Sequence, residues 1–140
     1  VVLLYSTAPL RTVETVEKAV EMVTEDSYDS VLSLQEEDDY LWEADGDVVR
    51  PKNYDPTRRG PRQNEDWNQW VENLAVYAVD RDVLLETGCR LGGTTGYVEM
   101  PNWRSVDIDD PEDLQIARVL WHNPIDEREL EEPPVEVDSS

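Results

Sequence analysis

VVLLYSTAPLRTVETVEKAVEMVTEDSYDSVLSL, residues 1–34, decides the predicted fold because three different hydrophobic patterns follow one another there. The apolar run at 1–4 is typical of a strand that is covered on both faces in a parallel sheet. Thr12 can cap a helix in which valines recur at helical spacing: Val13, Val16, Val20 and Val23. YDSVLSL (28–34) has the pattern of a second strand. Strand, helix and strand predict a βαβ unit with a right-handed crossover, and therefore an open α/β sheet.

Residues 35–70 interrupt this pattern. YLWEADGDVVRP contains an Asp45-Gly46 turn between short apolar pieces, which predicts a β-hairpin. The next stretch, NYDPTRRGPRQNEDWNQW, is rich in Arg, Pro and Asn and has no periodicity. A long irregular segment in a small domain usually has a function, so we interpret 35–70 as an arm or a binding segment.

The alternation of strands and helices resumes after residue 70. Strands are predicted at 74–79 (LAVYAV), 96–100 (GYVEM) and 105–109 (SVDID), and a short helix at 81–87 ends at Gly88. A last helix begins with Asp110 as its cap and Pro111 in its first turn, and ends near His122. The predicted domain is 1–123, followed by an acidic, disordered tail at 124–140.

The charge balance is the most unusual property of the composition. The chain has 33 Asp and Glu against 12 Lys and Arg, a formal net charge of −21, and the acids are interleaved with apolar residues. Acid that is spread over the whole fold is typical of a protein that works in concentrated salt, where screening suppresses self-repulsion. We infer a halophilic, haloarchaeal source. The same charge excludes nucleic acid as a partner, because phosphate backbones bind basic surfaces.

Cysteine content and hydropathy restrict the cellular compartment in which the protein is expected. The single Cys89 excludes an internal disulfide, and no apolar run approaches the roughly 18 residues that span a bilayer. With no signal peptide pattern, the expectation is a cytoplasmic protein that does not enter a membrane. Because the sequence opens within a strand, we expect it to be the later part of something longer.

An acidic motif follows the predicted strand at 105–109. In a strand, Asp107 and Asp109 point to the same face, at the carboxyl end where ligands bind in open α/β sheets. Two adjacent carboxylates favour a divalent cation, Mg²⁺ or Mn²⁺, shared with substrate phosphates. The alternative is an acidic, salt-adapted surface in which Asp110 only caps the helix.

A basic island lies in the irregular segment. Arg58, Arg59 and Arg62, followed by Gln63, lie within a few positions of one another in a strongly acidic chain. Arginine binds carboxylates and phosphates with two parallel hydrogen bonds, which indicates an anion site. The alternative is pairing with nearby acids or a contact between subunits. Elsewhere, the turn at 6–11 leaves main-chain N–H groups and Thr7 available to a ligand.

Several segments in order resemble the acylneuraminate cytidylyltransferases, the family of CMP-sialic acid synthetases, from about residue 1 to 120. VVLLYSTAPLRT is similar to LLQPTSPLRT of that family, and YDSVLSL to its following strand. PKNYDPTRRGPRQ is similar to the stretch that ends in Arg-Arg-Gln, and VENLAVYAVDRDVLLETG to ENGAIY with its short helix. RSVDIDDPEDLQIA is similar to the closing SxDIDxxxD motif.

The resemblance implies a Rossmann-like nucleotidyltransferase sheet, partial here, with a β-hairpin dimerisation arm at about 35–70. It implies a cytidylyltransferase that joins a nonulosonic, sialic-type sugar acid to CTP, giving the CMP-sugar and pyrophosphate. Mg²⁺ or Mn²⁺ would be the cofactor and a homodimer the assembly. The implied metal ligands are Asp107 and Asp109, which are also catalytic together with Arg62. The implied substrate-binding residues are Tyr5, Thr7, Arg11, Arg59, Gln63, Asn73 and Tyr77.

The chain also departs from the family pattern. No segment resembles the Gly-, Ser- and Lys-rich nucleotide loop, which would lie upstream of Val1. Three family positions are changed: the usual Gln, Ser and Gly are replaced by Tyr5, Ala8 and Leu74. A Tyr at the first of these positions resembles the pseudaminic acid branch of the family. Two alternatives therefore stay open. One is a truncated, non-catalytic remnant that only dimerises or binds sugar, and the other is a nucleotidyltransferase for UTP or another sugar.

The charge balance predicts that the fold depends on molar salt. At about 0.1 M salt the Debye length is about 10 Å, against about 3 Å at 1 M, so the net charge of −21 repels itself far more strongly in dilute salt. We expect the melting temperature to rise steadily as the KCl concentration increases from 0.1 M to molar values. A second monovalent salt should give the same increase in melting temperature. A melting temperature independent of salt would contradict the halophilic interpretation.

Overall fold

The computed structural model describes residues 1–58 and 67–126, which form a mixed α/β fold. A four-stranded sheet is accompanied by a separate two-stranded hairpin. Two single-turn 3-10 helices occur at Pro56–Arg58 and Asn102–Arg104. The strands are β1 (Val2–Leu4), β2 (Ser30–Glu36), β3 (Trp42–Asp45), β4 (Val48–Pro51), β5 (Trp70–Val79) and β6 (Thr95–Glu99). The helices are α1 (Val13–Thr24), α2 (Arg81–Thr87) and α3 (Pro111–His122).

The strand order of the main sheet is β1-β5-β2-β6. β5 is antiparallel to both β1 and β2, whereas β2 and β6 are parallel. β1 and β2 therefore run in the same direction and are joined through α1, as the sequence predicts, but β5 lies between them. The carboxyl ends of β1, β2 and β6 consequently meet at one edge of the sheet, which is the edge where ligands bind in open α/β sheets.

The prediction that β1 is covered on both faces is wrong. Val2, Leu3 and Leu4 are each 41% exposed, and within the described residues β1 pairs with β5 alone. An apolar run shows that a strand is favourable, but the number of neighbouring strands depends on pairing with distant residues. In this sheet β1 lies at one edge and β6 at the other.

The core lies between α1 and one face of the sheet. Thr12 caps α1 by accepting a hydrogen bond from the Thr15 N–H at 3.2 Å. Ala19 is fully buried, and Val16 and Val23 pack against the core. The strand residues of this core alternate along β2 and β5: Val31, Val76 and Ala78. The opposite sheet face holds Tyr77, which pairs in register with Leu3 and Leu32.

The predicted strand at 105–109 is wrong, because these residues pair with no strand in the described structure. They form an extended segment after the 3-10 turn, held by a hydrogen bond from the Ile108 N–H to the Thr7 carbonyl at 2.8 Å. Alternating polar and apolar residues indicate a strand only if a partner strand is present. Strand alternation therefore does not place Asp107 and Asp109 on one face.

The predicted start of α3 is confirmed in detail. The Asp110 carboxylate accepts from the N–H groups of Glu112 and Asp113, at 2.8 and 2.9 Å, and Pro111 follows the cap. The Asp113 carboxylate accepts in return from the N–H groups of Asp109 and Asp110, at 3.0 and 3.3 Å. This capping box satisfies main-chain donors that the helix itself leaves unpaired. It also fixes where the 105–109 segment ends.

The hairpin and α2 agree with the sequence prediction. β3 and β4 pair with Asp45 opposite Val48, so the two-residue loop is Gly46-Asp47, one residue later than predicted. Gly46 has φ of +64°, a conformation that glycine adopts without steric cost. α2 ends at Gly88, as predicted. Among the described residues, no helix is both long and apolar enough to cross a membrane.

β5 has an irregularity next to the predicted substrate-binding residues. Its pairing with β2 jumps from Tyr77, opposite Leu32, to Glu72, opposite Leu34, so residues 73–76 lie opposite Ser33. Leu74 in this bulge has φ of +59°, the left-handed region that costs a non-glycine residue about 1–2 kcal/mol. The position corresponds to the Gly of the family's ENGA motif. Asn73 lies in the same bulge, where its side chain contacts Ser33 of β2 and Ser105.

Candidate functional site

Two chain segments meet beyond the carboxyl ends of the strands. Residues 5–8, the 5–8 turn, follow β1 and are closed by a hydrogen bond from the Ala8 N–H to the Tyr5 carbonyl at 3.3 Å. Residues 105–109, the 105–109 segment, reach this turn through the bond from Ile108 to Thr7. Tyr5, Thr7 and Asp107 are thereby brought together from positions about a hundred residues apart in the sequence. Sequence alone could not show this contact.

Within the 105–109 segment, the side chain of Asp107 is the one that most clearly indicates a bound cation. Its Oδ1 atom is buried and accepts no hydrogen bond. A carboxylate oxygen without a partner in a buried position costs free energy unless a donor or a cation approaches it. Asp109 is exposed. The orphaned oxygen fits a hard divalent cation, which prefers oxygen ligands.

The described residues set a limit on such a cation site. The one group of three acids close enough to share an ion is Glu37, Asp38 and Asp39, near the base of the hairpin. A cation at Asp107 would therefore have at most two carboxylate ligands from the described residues, and oxygens of a bound substrate or water would complete its shell. This is the usual way in which Mg²⁺ is held, by one or two carboxylates together with phosphates.

Asn73 is buried at 4% exposure and all its contacts are internal. Its Nδ2 donates to the Ser105 hydroxyl at 3.0 Å, and its Oδ1 accepts from the Ser33 hydroxyl at 2.6 Å. Ser105 in turn donates to the Pro101 carbonyl at 2.9 Å. Asn73 thus connects β2, β5 and the start of the 105–109 segment. In this arrangement its side chain positions the site.

Arg11 also has its hydrogen bonds within the protein. One guanidinium nitrogen donates to the carbonyl oxygens of Tyr5 and Ala8, both at 2.6 Å. This fork stabilises the conformation of the 5–8 turn, because one charged donor binds two of the turn's carbonyl oxygens. Arg104 adds a bond to the Leu10 carbonyl at 3.1 Å. Both arginines therefore stabilise the main chain around the site.

Tyr77, Glu72, Arg90 and Tyr5 form a cluster that we call the Tyr77 cluster. The Tyr77 hydroxyl donates to the Glu72 carboxylate, and the Arg90 guanidinium lies over the Tyr77 ring at 4.4 Å. Arg90 is also 5.8 Å from the Tyr5 ring and 3.8 Å from the Glu72 carboxylate. Tyr5 and Tyr77 meet edge to face, with ring centroids 6.0 Å apart. The cluster joins the 5–8 turn to β5 and to the loop after α2.

The electrostatics of the cluster hold Tyr77 in its neutral form. Burial, and next the hydrogen bond to the Glu72 carboxylate, raise the pKa of Tyr77 to about 12. The pKa of Arg90 is raised chiefly by its hydrogen bond with Tyr77. Tyr77 therefore stays protonated at neutral pH, and its hydroxyl acts as a hydrogen-bond donor to Glu72 and not as a group that transfers a proton.

The basic island is described only in part. Arg58 is exposed and lies 3.8 Å from the Asp55 carboxylate, which is the local pairing that the sequence left open as an alternative. The predicted roles of Arg59, Arg62 and Gln63 fall on residues outside the described ranges. These three residues remain predictions.

Sequence reasoning missed Arg90, Ser33 and Ser105. Arg90 could have been noticed, because any basic residue is uncommon in a chain with 12 of them against 33 acids. No sequence pattern distinguished the two serines, because their importance comes only from the buried contact with Asn73.

Comparisons with known proteins support the motif resemblance. The chain is 38% identical over 110 residues to N-acylneuraminate cytidylyltransferase A of Danio rerio, covering 74% of this chain and 25% of that protein. It is 36% identical over 110 residues to N-acylneuraminate cytidylyltransferase of Oncorhynchus mykiss, covering 74% of this chain and 24% of that protein. No family model matches. The chain is therefore similar to these cytidylyltransferases and spans about a quarter of their length.

The raised pKa of Tyr77 predicts a loss of stability at high pH. The folded-state pKa of about 12 lies above the ordinary tyrosine value of 10.0, so the stabilisation is complete below pH 10 and is lost as the pH rises through 12. We expect the free energy of unfolding, measured in urea at constant KCl, to decrease between pH 10 and 12, and Tyr77→Phe to show a smaller decrease.

Tyr97→Phe is the matched control, since Tyr97 lies on the neighbouring strand and is 46% exposed. It should keep the slope of the wild type. A Tyr77→Phe protein that loses stability as steeply as the wild type would contradict the environment described for Tyr77.

Proposed function

We propose that this chain is part of a cytidylyltransferase of the acylneuraminate family, with a Rossmann-like sheet, that activates a nonulosonic sugar acid with CTP. In this reaction the anomeric hydroxyl oxygen bonds to the α-phosphorus of CTP, and the bond to the bridging oxygen breaks. Pyrophosphate leaves with that electron pair, and the hydroxyl proton passes to a base or to water. Similarity to two N-acylneuraminate cytidylyltransferases supports the proposal, and so does the order of the motifs in this sequence.

The observation that most favours this function is the buried, unpartnered Oδ1 of Asp107 beside the 5–8 turn. A reaction at phosphorus needs compensation for the charge on the phosphoryl oxygens, and carboxylates beside the strand ends can hold the cation that supplies it. Asp107 and Asp109 would hold Mg²⁺ or Mn²⁺, which neutralises developing charge and lowers the pKa of an attacking hydroxyl. The limit of two carboxylates leaves room for phosphate oxygens.

The remaining residues of the site would bind and orient the sugar acid. Tyr5 offers aromatic surface next to the 5–8 turn, supported from behind by the buried Tyr77 ring, and Thr7 adds a hydroxyl group. Arg11 and Asn73 would act indirectly, because their hydrogen bonds hold the turn and the 105–109 segment in place. We propose that Arg59, Arg62 and Gln63 bind the anionic parts of the substrates, on the strength of the sequence motif alone.

The metal proposal predicts that Asp109→Asn abolishes most turnover and leaves the fold intact. The substitution barely changes shape and volume but removes a charge. Metal assistance is worth several kcal/mol, and each 1.4 kcal/mol is about tenfold in rate, so the expected loss is roughly a hundredfold or more. The measurement is pyrophosphate release from CTP, in a protein that carries the family's nucleotide loop ahead of Val1.

Asp110→Asn is the control. Asp110 is occupied with the cap of α3, and Asn caps helices about as well as Asp, so this variant should keep its activity. In the 140-residue chain itself, MgCl₂ or MnCl₂ should raise the melting temperature of the wild type and of Asp110→Asn. Asp107→Asn should lose that increase. The metal proposal fails if Asp109→Asn is fully active or if Asp110→Asn is the more damaging change.

We further propose that the chain forms a homodimer through the hairpin, which would act as the arm. Within the described residues, β3 and β4 pair only with each other, and Trp42, Val48 and Val49 are about half exposed or more. Tyr40, Trp42, Tyr54 and Trp67 form a run of ring contacts at the base of the hairpin, with centroids 4.5 to 5.9 Å apart. An apolar surface on a projecting element favours a partner that covers it.

The dimer predicts a mass of twice 16.1 kDa by light scattering in molar KCl. Val49→Asp would bury a charge in the contact and should shift the mass to that of the monomer. Leu85→Asp, on α2 at 66% exposure, introduces the same charge away from the hairpin and should leave the dimer intact. A monomeric wild type, or a Val49→Asp protein that stays dimeric, would contradict the arm.

A further inference from the structure

Arg90 differs from the other two arginines near the site in how its charge is used. Arg11 and Arg104 donate to main-chain carbonyl groups, at 2.6 and 3.1 Å. The ion pair of Arg90, with Glu72, has its closest atoms 3.8 Å apart, and the two side chains are 42% and 41% exposed. Exposed pairs of this kind contribute little free energy, so Glu72 can be displaced by a ligand that binds the guanidinium more closely.

The position of Arg90 is nevertheless well defined. The guanidinium carbon lies over the Tyr77 ring, 4.4 Å from its centroid, and 5.8 Å from the centroid of the Tyr5 ring. Tyr77 is only 1% exposed and cannot move easily. Contact with this fixed ring restricts the positions of the guanidinium, whose planar N–H groups can bind a carboxylate with two parallel hydrogen bonds. Such preorganisation reduces the entropy that a ligand loses on binding.

A continuous set of contacts connects Arg90 to the 105–109 segment. Arg90 lies beside Tyr5, Tyr5 begins the 5–8 turn, and Thr7 of that turn accepts the hydrogen bond from Ile108. An anion on Arg90 would therefore lie near Tyr5, whose ring is proposed to contact the sugar. In a chain with a net charge of −21, an anionic ligand needs a local cation to overcome the general repulsion.

We propose that Arg90 binds the carboxylate of the sugar acid and that Glu72 competes with it for the same guanidinium. Arg90 would thereby select acidic sugars over neutral ones, since a neutral sugar could not displace Glu72. This inference rests on the proposed function and specifies which residue recognises the acid group. The planar carboxylate matches the fork of the guanidinium, and the partly exposed ring of Tyr5 suits the apolar face of a sugar.

The test compares Arg90→Gln with Arg81→Gln in the 140-residue chain, by calorimetric titration at a KCl concentration where both are folded. The probes are N-acetylneuraminic acid, its methyl ester and CTP. Arg81 is on the neighbouring α2, pairs with Asp82 and is 75% exposed, so its variant has the same net charge as Arg90→Gln without touching the cluster. We expect Arg90→Gln to bind the acid at least about tenfold more weakly, which is ~1.4 kcal/mol, and as weakly as the ester. Arg81→Gln should bind like the wild type.

Glu72→Gln adds a test in the opposite direction. It removes the competing charge and keeps an oxygen that can accept the Tyr77 hydroxyl. We expect it to bind the acid several times more tightly and the ester no differently. A purely structural role of Arg90 predicts no such gain, and this variant remains informative if Arg90→Gln does not fold.

The possible failures are distinguishable. If the wild type binds the acid better than the ester and Arg90→Gln does so equally well, the role of Arg90 is wrong and the proposed function stands. If Arg90→Gln weakens CTP binding and leaves the acid unaffected, Arg90 binds a phosphate and the inference is also wrong. If the wild type binds neither the acid nor the ester, the proposed function fails and this inference fails with it.

Discussion

Asn73 links β2, β5 and the chain that follows β6, and the geometry around the 5–8 turn depends on that link. Its amide donates to Ser105 and accepts from Ser33, in a part of the protein from which water is excluded. A buried polar group that loses its partner costs about 1–3 kcal/mol, so each member of this network constrains the other two. The left-handed conformation of Leu74 is tolerated because the neighbouring bonds fix the bulge.

Because of this link, the 105–109 segment is held at both ends. Ser105 is tied to the sheet through Asn73, and Asp109 is tied to α3 through the Asp113 carboxylate. Asp107 lies between these anchors, beside the 5–8 turn. A carboxylate that is held in this way does not have to be ordered when a cation or substrate arrives, which is the general advantage of a preorganised site.

Charge has two distinct uses in this protein. Most of the acids lie on the surface, where they affect solubility and salt dependence more than the fold. A small number of charged side chains make specific contacts instead: Arg11 closes the 5–8 turn, Asp110 caps α3, and Arg90 lies against Tyr77. The net charge makes each isolated cation near the site more significant, because it must overcome a repulsive background to attract an anion.

The local features of the fold could be predicted because their causes lie within a few residues. Thr12 as a cap, Asp110 with Pro111, and Gly88 as the end of α2 are each determined by neighbouring main-chain groups. The hairpin was found for the same reason, with its turn displaced by one residue. Sequence motifs also indicated the family resemblance and the residue types that would bind a metal and an acidic sugar.

Pairing across long distances in the chain was decided only by the tertiary structure. β5 lies between β1 and β2, and the 105–109 segment has no partner strand, since hydrogen-bond partners from distant residues determine both arrangements. The Tyr77 cluster is of the same kind, because it joins residues from the 5–8 turn, β5 and the loop after α2. The sequence by itself determined where helices begin and end and which chemistry was available. The tertiary structure decided which of those groups meet, since burial and hydrogen bonding between remote segments select the contacts.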